Sequence, residues 1–448
     1  MRTLHLLFIL ILGMAVGAAQ ADSESGVWKK IDVAPGVYNV SDGNGSQRQI
    51  SPSCSGGPVC AIDAATGLPN CRLGNTQFSF YYKPGKHKKL LVYFDGGGAC
   101  WDSNTCVTGN LTPLSSYVAE LGPQSDPAGK GGLFNLSNPD NSYRDWSMVV
   151  VPYCTGDIHW GSKDVNYSDD TGAVTGTVGG AVTLHHRGFD NFLYVRDWIR
   201  QHYAQAEGEA EEASEDGLGK LLVTGSSAGA YGAIFAYPHL KQLFPDTKGY
   251  LLSDAGNGVV TDGFLDQAID SLDPRWGIQN NLAHWIPGMD SVPSTPANRF
   301  LDTYYYALAG YYPRDRFSQY TTLWDAVQTL FYNIMINQND IAAWAQLTPA
   351  VYGAWTQQMV NNVFTVAAGN ANYRFYIAEG CNHTLLRFDD DYYKPATQQD
   401  IAFLSWFKAL TRDDAEHAAA WHNSFCQNCL APPTQEQVST CIGRSFGN

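Results

Sequence analysis

Short, nearly continuous apolar runs alternate along this chain with longer stretches whose apolar residues recur at helical spacing. "KKLLVYFDGGG", "DWSMVVVPYCTGD", "KLLVTG", "KGYLLSDAG" and "NYRFYIAEG" are such runs, each closed by glycine or polar residues. Unbroken apolar runs of this length predict strands buried on both faces. "QFSFYYKPG" predicts one more strand, followed by a turn. Between them, "GFDNFLYVRDWIRQHYAQA" places Phe189, Phe192, Val195, Trp198 and Ile199 on one helical face. A helix of small residues is expected from Ala228. The alternation predicts an α/β fold, a mostly parallel sheet with helices on both faces. From about 258 to 320 it breaks, in a stretch rich in Tyr, Trp and Pro, which predicts a lid-like insertion or substrate wall. The acid-rich "AEGEAEEASEDGLGK" reads as a solvated loop, 206–219, between a helix and a strand.

Two features bear on compartment. The opening segment, Arg2 followed by apolar residues Leu4 to Val16 and then Ala19-Gln20-Ala21, reads as a signal peptide over 1–21. Residues 22–448 are then expected to form a single domain, secreted or periplasmic, without an integral membrane span. All 10 cysteines lie after that segment, an even number suited to disulfides, with Cys100 and Cys106 the best local guess at a pair. Cys426 and Cys429 have zinc or redox spacing, but no second such pair accompanies them, so disulfides are expected here too and no metal. The formal charge is −15, and −16 without Arg2, which disfavours nucleic acid and anionic surfaces as partners.

The chemistry centres on "LLVTGSSAGAYGA". Gly225-Ser226-Ser227-Ala228-Gly229 fits G-x-S-x-G with Ser227 central, entered by a strand and left by a helix, the context of a nucleophile elbow. Ser226 is adjacent but off the central position. A serine needs a base. His383, in "YIAEGCNHTLL", follows a late strand, where a nucleophile–acid–histidine chain order puts it. Two acids stand between them, Asp254 at the end of "YLLSDAG" and Asp325 in "TTLWDAVQTLFY", and chain order permits either. Gly96, Gly97 and Gly98 follow a buried strand, where glycine backbones can aim N–H groups at an oxyanion; the Ala228 N–H is a further donor. His159, His185 and His186 read as wall or packing residues.

These segments together resemble the pectin acetylesterase family. "YFDGGGAC", "PYCTGDIHWGS", "HHRGFDNF", "TGSSAGA", Asp325-Ala326-Val327-Gln328 and Cys381-Asn382-His383 match its motifs in order, over about 90 to 385. Ala99 stands where family members often carry Trp, and Trp101 follows instead. The resemblance implies an α/β-hydrolase-like core and a Ser227, Asp325, His383 triad. It also implies oxyanion donors at Gly97, Gly98 and Ala228, a structural role for Asp254, and no cofactor. The expected activity is hydrolysis of an acyl ester, most simply O-acetyl or another short acyl group on a polysaccharide. Longer acyl esters are an alternative, and a catalytically silent carbohydrate-binding protein is another. The aromatic segments "LDTYYYALAGYYP" and "NNLAHWIPGMD" are expected to wall the substrate site or to pack as a lid on their own core.

Overall fold

The computed structural model describes residues 26–446, apart from 43–45, 64, 68, 87, 113, 210–217, 271–272, 397–398 and 427–430. The expected signal segment 1–21, most of the acidic loop and Cys429 lie outside the described residues.

Nine strands form one sheet: β1 (Lys29–Asp32), β2 (Ser79–Lys83), β3 (Lys89–Phe94), β4 (Ser147–Val151), β5 (Lys220–Ser226), β6 (Lys248–Asp254), β7 (Arg316–Thr322), β8 (Tyr373–Ala378) and β9 (Ser424–Phe425). Their spatial order is β1-β2-β4-β3-β5-β6-β7-β8-β9. β2 runs antiparallel to β1 and β4, and every pair from β4 to β9 is parallel. The expected α/β class, a mostly parallel sheet, is what the chain forms.

Helices cover both faces, unequally. Alternate residues of each central strand enter different cores. Leu90, Val92, Phe94, Leu221, Val223 and Leu251 pack with α1 (Gly188–Glu209), α2 (Ala228–Lys241), α3 (Phe300–Tyr311), α4 (Ala326–Ile336) and α5 (Pro349–Gly369). Leu91, Tyr93, Leu222, Tyr250 and Leu252 face the other way, onto α6 (Phe403–Leu410), where Phe403, Trp406, Phe407 and Leu410 are buried. Two-sided burial is why these strands carry no alternating polar residues.

The structure departs from expectation in two places. The end of the 258–320 stretch is not insertion: Arg316–Thr322 is a central strand. Its polarity hid it. Ser318, Gln319, Thr321 and Thr322 are buried, yet each finds a partner: Trp421 Nε1–H donates to Ser318 Oγ at 2.9 Å, and Thr322 Oγ–H donates to the Asn382 carbonyl at 2.8 Å. A polar strand is tolerated inside a protein when its hydrogen bonds are made. Secondly, α1 runs to Glu209, so the first residues of the acid-rich segment are helical. Glutamate and alanine are good helix formers, and the single Gly208 does not end the helix.

Parallel strands bring all their C-terminal ends to one edge, where open α/β sheets bind ligands. Gly96 follows β3, Ser227 follows β5, Asp254 ends β6, Asp325 follows β7 and His383 follows β8. The lysine group near 83–89 is at the opposite edge, where β2 ends and β3 begins.

Candidate active site

The elbow is built by close approach. Ser227 has φ 60° and ψ −126°, a conformation that L-residues rarely hold. A Cβ on Gly229 would lie 2.0 Å from the Phe94 carbonyl oxygen, so only glycine lets α2 start against β3. Strain at Ser227 is held by backbone bonds, its N–H donating to the Asp254 carbonyl at 2.8 Å. Ser227 stays partly exposed while Ser226 is buried, its hydroxyl donating to Asp254 Oδ2 at 2.6 Å. The two serines therefore part company: one faces a pocket and the other is tied beneath it.

The glycine loop leans on the elbow. A Cβ on Gly96 would be 2.7 Å from Ser227 Cβ, so no larger residue fits there. Gly97 accepts from Val118 N–H at 2.8 Å, and Gly98 pairs with Tyr117 in an isolated bridge. Gly98 and Ala228, at the N-terminus of α2, line one pocket with Ser227 and His383. A helix N-terminus favours developing negative charge. Cys100 and Cys106 are disulfide-bonded, closing the turn that follows.

Asp325 is the N-cap of α4, accepting from the N–H groups of Val327 at 3.1 Å and Gln328 at 2.9 Å. A helix-start carboxylate on the surface would be solvated, but this one is fully buried. His383 Nδ1 lies 2.9 Å from Asp325 Oδ1 and 3.0 Å from Oδ2. A carboxylate can only accept, so it is His383 Nδ1–H that donates to Asp325. Nε2 is buried and has no hydrogen-bond partner among the described residues. Of the two acids that chain order permits, the structure brings Asp325 to His383.

Asp254 is engaged elsewhere. Besides Ser226, its Oδ2 accepts from the N–H groups of Leu385 and Leu386, both at 3.1 Å. Burial raises its pKa above the usual carboxylate value.

Sequence reasoning missed several residues. Gln328 Nε2 donates to Asp325 Oδ2 at 3.0 Å and to Asn257 Oδ1 at 3.1 Å, which fixes the acid's second oxygen. The D-x-x-Q spacing, which puts Gln328 one turn into α4, was the available signal. The pocket wall is apolar: Phe264, Trp276, Phe331, Met335 and Trp355 form much of it. Trp276 Nε1–H donates to the Cys100 carbonyl at 2.9 Å, and Phe264 packs edge-on against both Trp101 and Trp276. The tyrosines of "LDTYYYALAGYYP" do not line it. Tyr304 and Tyr305 are buried in the core, against Phe235 and Tyr373 respectively. His159, His185 and His186, singled out from the sequence, are held by the protein. His159 Nε2 bonds the Asp95 carbonyl at 2.8 Å, and burial lowers its pKa to about 4. His186 bonds both the Thr155 carbonyl and the Tyr167 hydroxyl, and His185 pairs with Asp164.

Comparison with known proteins follows the same lines. Residues 64–268 match the family described as PAE: Pectinacetylesterase, the family expected from the sequence. Asp325 and His383 lie beyond the matched span. The palmitoleoyl-protein carboxylesterase NOTUM of Schmidtea mediterranea is 30% identical over 78 residues, 17% of this chain and 14% of that one. The palmitoleoyl-protein carboxylesterase notum1a of Danio rerio is 21% identical over 222 residues, 49% of this chain and 37% of that one. The matched stretches thus span well under half the length of either relative. The crystal structure of the Wnt deacylase Notum from Drosophila aligns with 85% of this chain and 99% of its own, at 17% identity and a TM-score of 0.48.

Proposed function

Starting from a chain whose residues 64–268 carry the pectinacetylesterase pattern, we propose that it is a serine carboxylesterase acting on acyl esters. Ser227 Oγ attacks the ester carbonyl and His383 Nε2 takes its proton. Asp325 orients the imidazole and stabilises its cationic form. The N–H groups of Gly97, Gly98 and Ala228 receive the oxyanion. Collapse of the tetrahedral intermediate breaks the C–O bond, with His383 returning the proton to the leaving alcohol. Water, deprotonated by His383, then attacks the acyl-serine and releases the acid. One observation carries this reading: His383 bonds Asp325 through Nδ1 and lines the Ser227 pocket, with Nε2 unpartnered among the described residues.

The acyl group is the finer part of the proposal. An apolar wall of Phe264, Trp276, Phe331, Met335 and Trp355 supports an aliphatic acyl chain longer than acetyl. O-acetyl on a polysaccharide is the second reading, favoured by the family's name. A series of neutral esters from acetyl to octanoyl separates them. Each methylene buried in the pocket contributes about 0.8 kcal/mol, roughly fourfold in kcat/KM. A stepwise rise beyond acetyl supports the longer chain, whereas a fall from acetyl onwards supports the acetylesterase.

An oxidising compartment is part of the same proposal. Cys54–Cys154, Cys60–Cys71, Cys100–Cys106 and Cys381–Cys441 are bonded, and such bonds persist outside reducing cytosol. No helix among the described residues is long and apolar enough to cross a membrane.

A further inference from the structure

Three loops must keep a common register for this chemistry: the elbow, the glycine loop and the histidine loop. The elbow and the histidine loop share Asp254, which holds Ser226 Oγ and the amides of Leu385 and Leu386. The glycine loop meets the histidine loop through a different carboxylate. Asp95 directly precedes Gly96, and its side chain is 7% exposed. Its Oδ1 accepts from Arg387 Nη1 at 3.2 Å and from Gly96 N–H at 3.2 Å, and its Oδ2 accepts from Lys130 Nζ. The Asp95 main chain is fixed as well, its carbonyl by His159 Nε2 at 2.8 Å and its N–H by the Val151 carbonyl at 2.9 Å. Arg387 lies four residues after His383. Its carbonyl accepts from Gly131 N–H at 3.1 Å, in the segment that also carries Lys130.

We propose that the Asp95–Arg387 pair is a positioning device that locks the oxyanion-binding glycine loop to the loop bearing the catalytic histidine. The inference rests on the roles given above to Gly97, Gly98 and His383. Asp95 and Arg387 touch no reacting atom; they act through the backbone on either side. The physical case is that a charge-assisted bond at low exposure is stronger and more directional than a neutral one. Small misplacements of donors or base cost rate steeply, on the order of a hundredfold for an ångström. Lys130 and Arg387 both pair with Asp95.

The test uses Arg387→Gln in the whole chain, since Lys130 still neutralises Asp95 in that variant. Two readouts are taken. Amide hydrogen exchange should quicken in peptides covering both 95–99 and 383–387, although the substitution lies in only one of them. The kcat per fluorophosphonate-titrated site should fall roughly 10- to 100-fold with KM within about threefold, because the acyl pocket is untouched. Arg387→Lys should recover most of the loss. The double variant Asp95→Asn/Arg387→Gln should be no slower than the slower single variant, the signature of residues acting as one unit. Exchange that changes only around residue 387, or a kcat within twofold of wild type, would overturn the proposal. A wild-type protein that hydrolyses no ester while the exchange coupling is present would overturn the esterase reading and leave the loop coupling intact.

Discussion

Strands β6 and β7 lie side by side and deliver two fully buried aspartates to the same edge of the sheet. Asp254 is the last residue of β6, and Asp325 stands three residues beyond the end of β7. Burial does not distinguish them; their donors do. Asp254 takes a serine hydroxyl and two amides, none of which changes charge in the proposed reaction. Asp325 takes two amides, the Gln328 side chain and one group that can gain a proton, the His383 ring. In the proposed reaction Asp254, whose donors are permanent, fixes geometry, whereas Asp325 is placed to stabilise charge developing on the imidazole.

The sharpest way to break the comparison is at the residues above the two acids. Ser227→Ala or His383→Ala should cut kcat/KM by about 10⁴-fold or more, with the fold retained. Ser226→Ala should leave turnover within about tenfold and act on stability, since it loses only the bond to Asp254. Substituting the acids themselves comes next. Asp325→Asn should lower kcat by roughly 10³- to 10⁴-fold, by favouring the wrong imidazole tautomer. Asp254→Asn should keep kcat within about tenfold while lowering unfolding free energy by about 1–3 kcal/mol. Chemical denaturation beside initial rates checks both, and the opposite pattern would exchange the two roles.

A smaller effect sharpens the Asp325 side. Gln328→Ala removes one hydrogen bond to the carboxylate and should cost about tenfold in kcat with little change in KM. The smallest concerns pH on the Asp254 side. Its folded pKa is raised above the unfolded value of 3.8 by burial, so the native state holds its proton longer. Its contribution to stability is therefore complete below the unfolded pKa and declines as pH rises through the folded one. The penalty of Asp254→Asn should accordingly be larger at pH 3.5 than at pH 7, measured as the difference between paired denaturation curves.

Much of this architecture was legible because strand burial writes itself into sequence. Leu90–Phe94 and Leu221–Val223 are apolar on both faces, which only a covered sheet explains. G-x-S-x-G was legible because Gly225 and Gly229 answer steric demands that few other residues meet. β7 was lost in the supposed insertion because its buried side chains are polar and satisfied by partners as distant in sequence as Trp421. The choice between Asp254 and Asp325 stayed open to the residues alone, and only the resemblance favoured one, because chain order says nothing of which carboxylate reaches an imidazole 58 positions away. Pocket aromatics from four separate segments, Phe264, Trp276, Phe331 and Trp355, share no local pattern. Likewise Cys100–Cys106 was a local guess, whereas Cys54–Cys154 bridges a separation of 100.

The most direct test of the account is the site of covalent capture. The protein is treated with a fluorophosphonate, digested, and the adduct located by tandem mass spectrometry within the 220–241 peptide. A single adduct on Ser227 is expected, lost in His383→Ala and slowed in Asp325→Asn, but formed at close to the wild-type rate in Asp254→Asn. An adduct on Ser226, or a folded protein that takes no label and hydrolyses no ester, would contradict it.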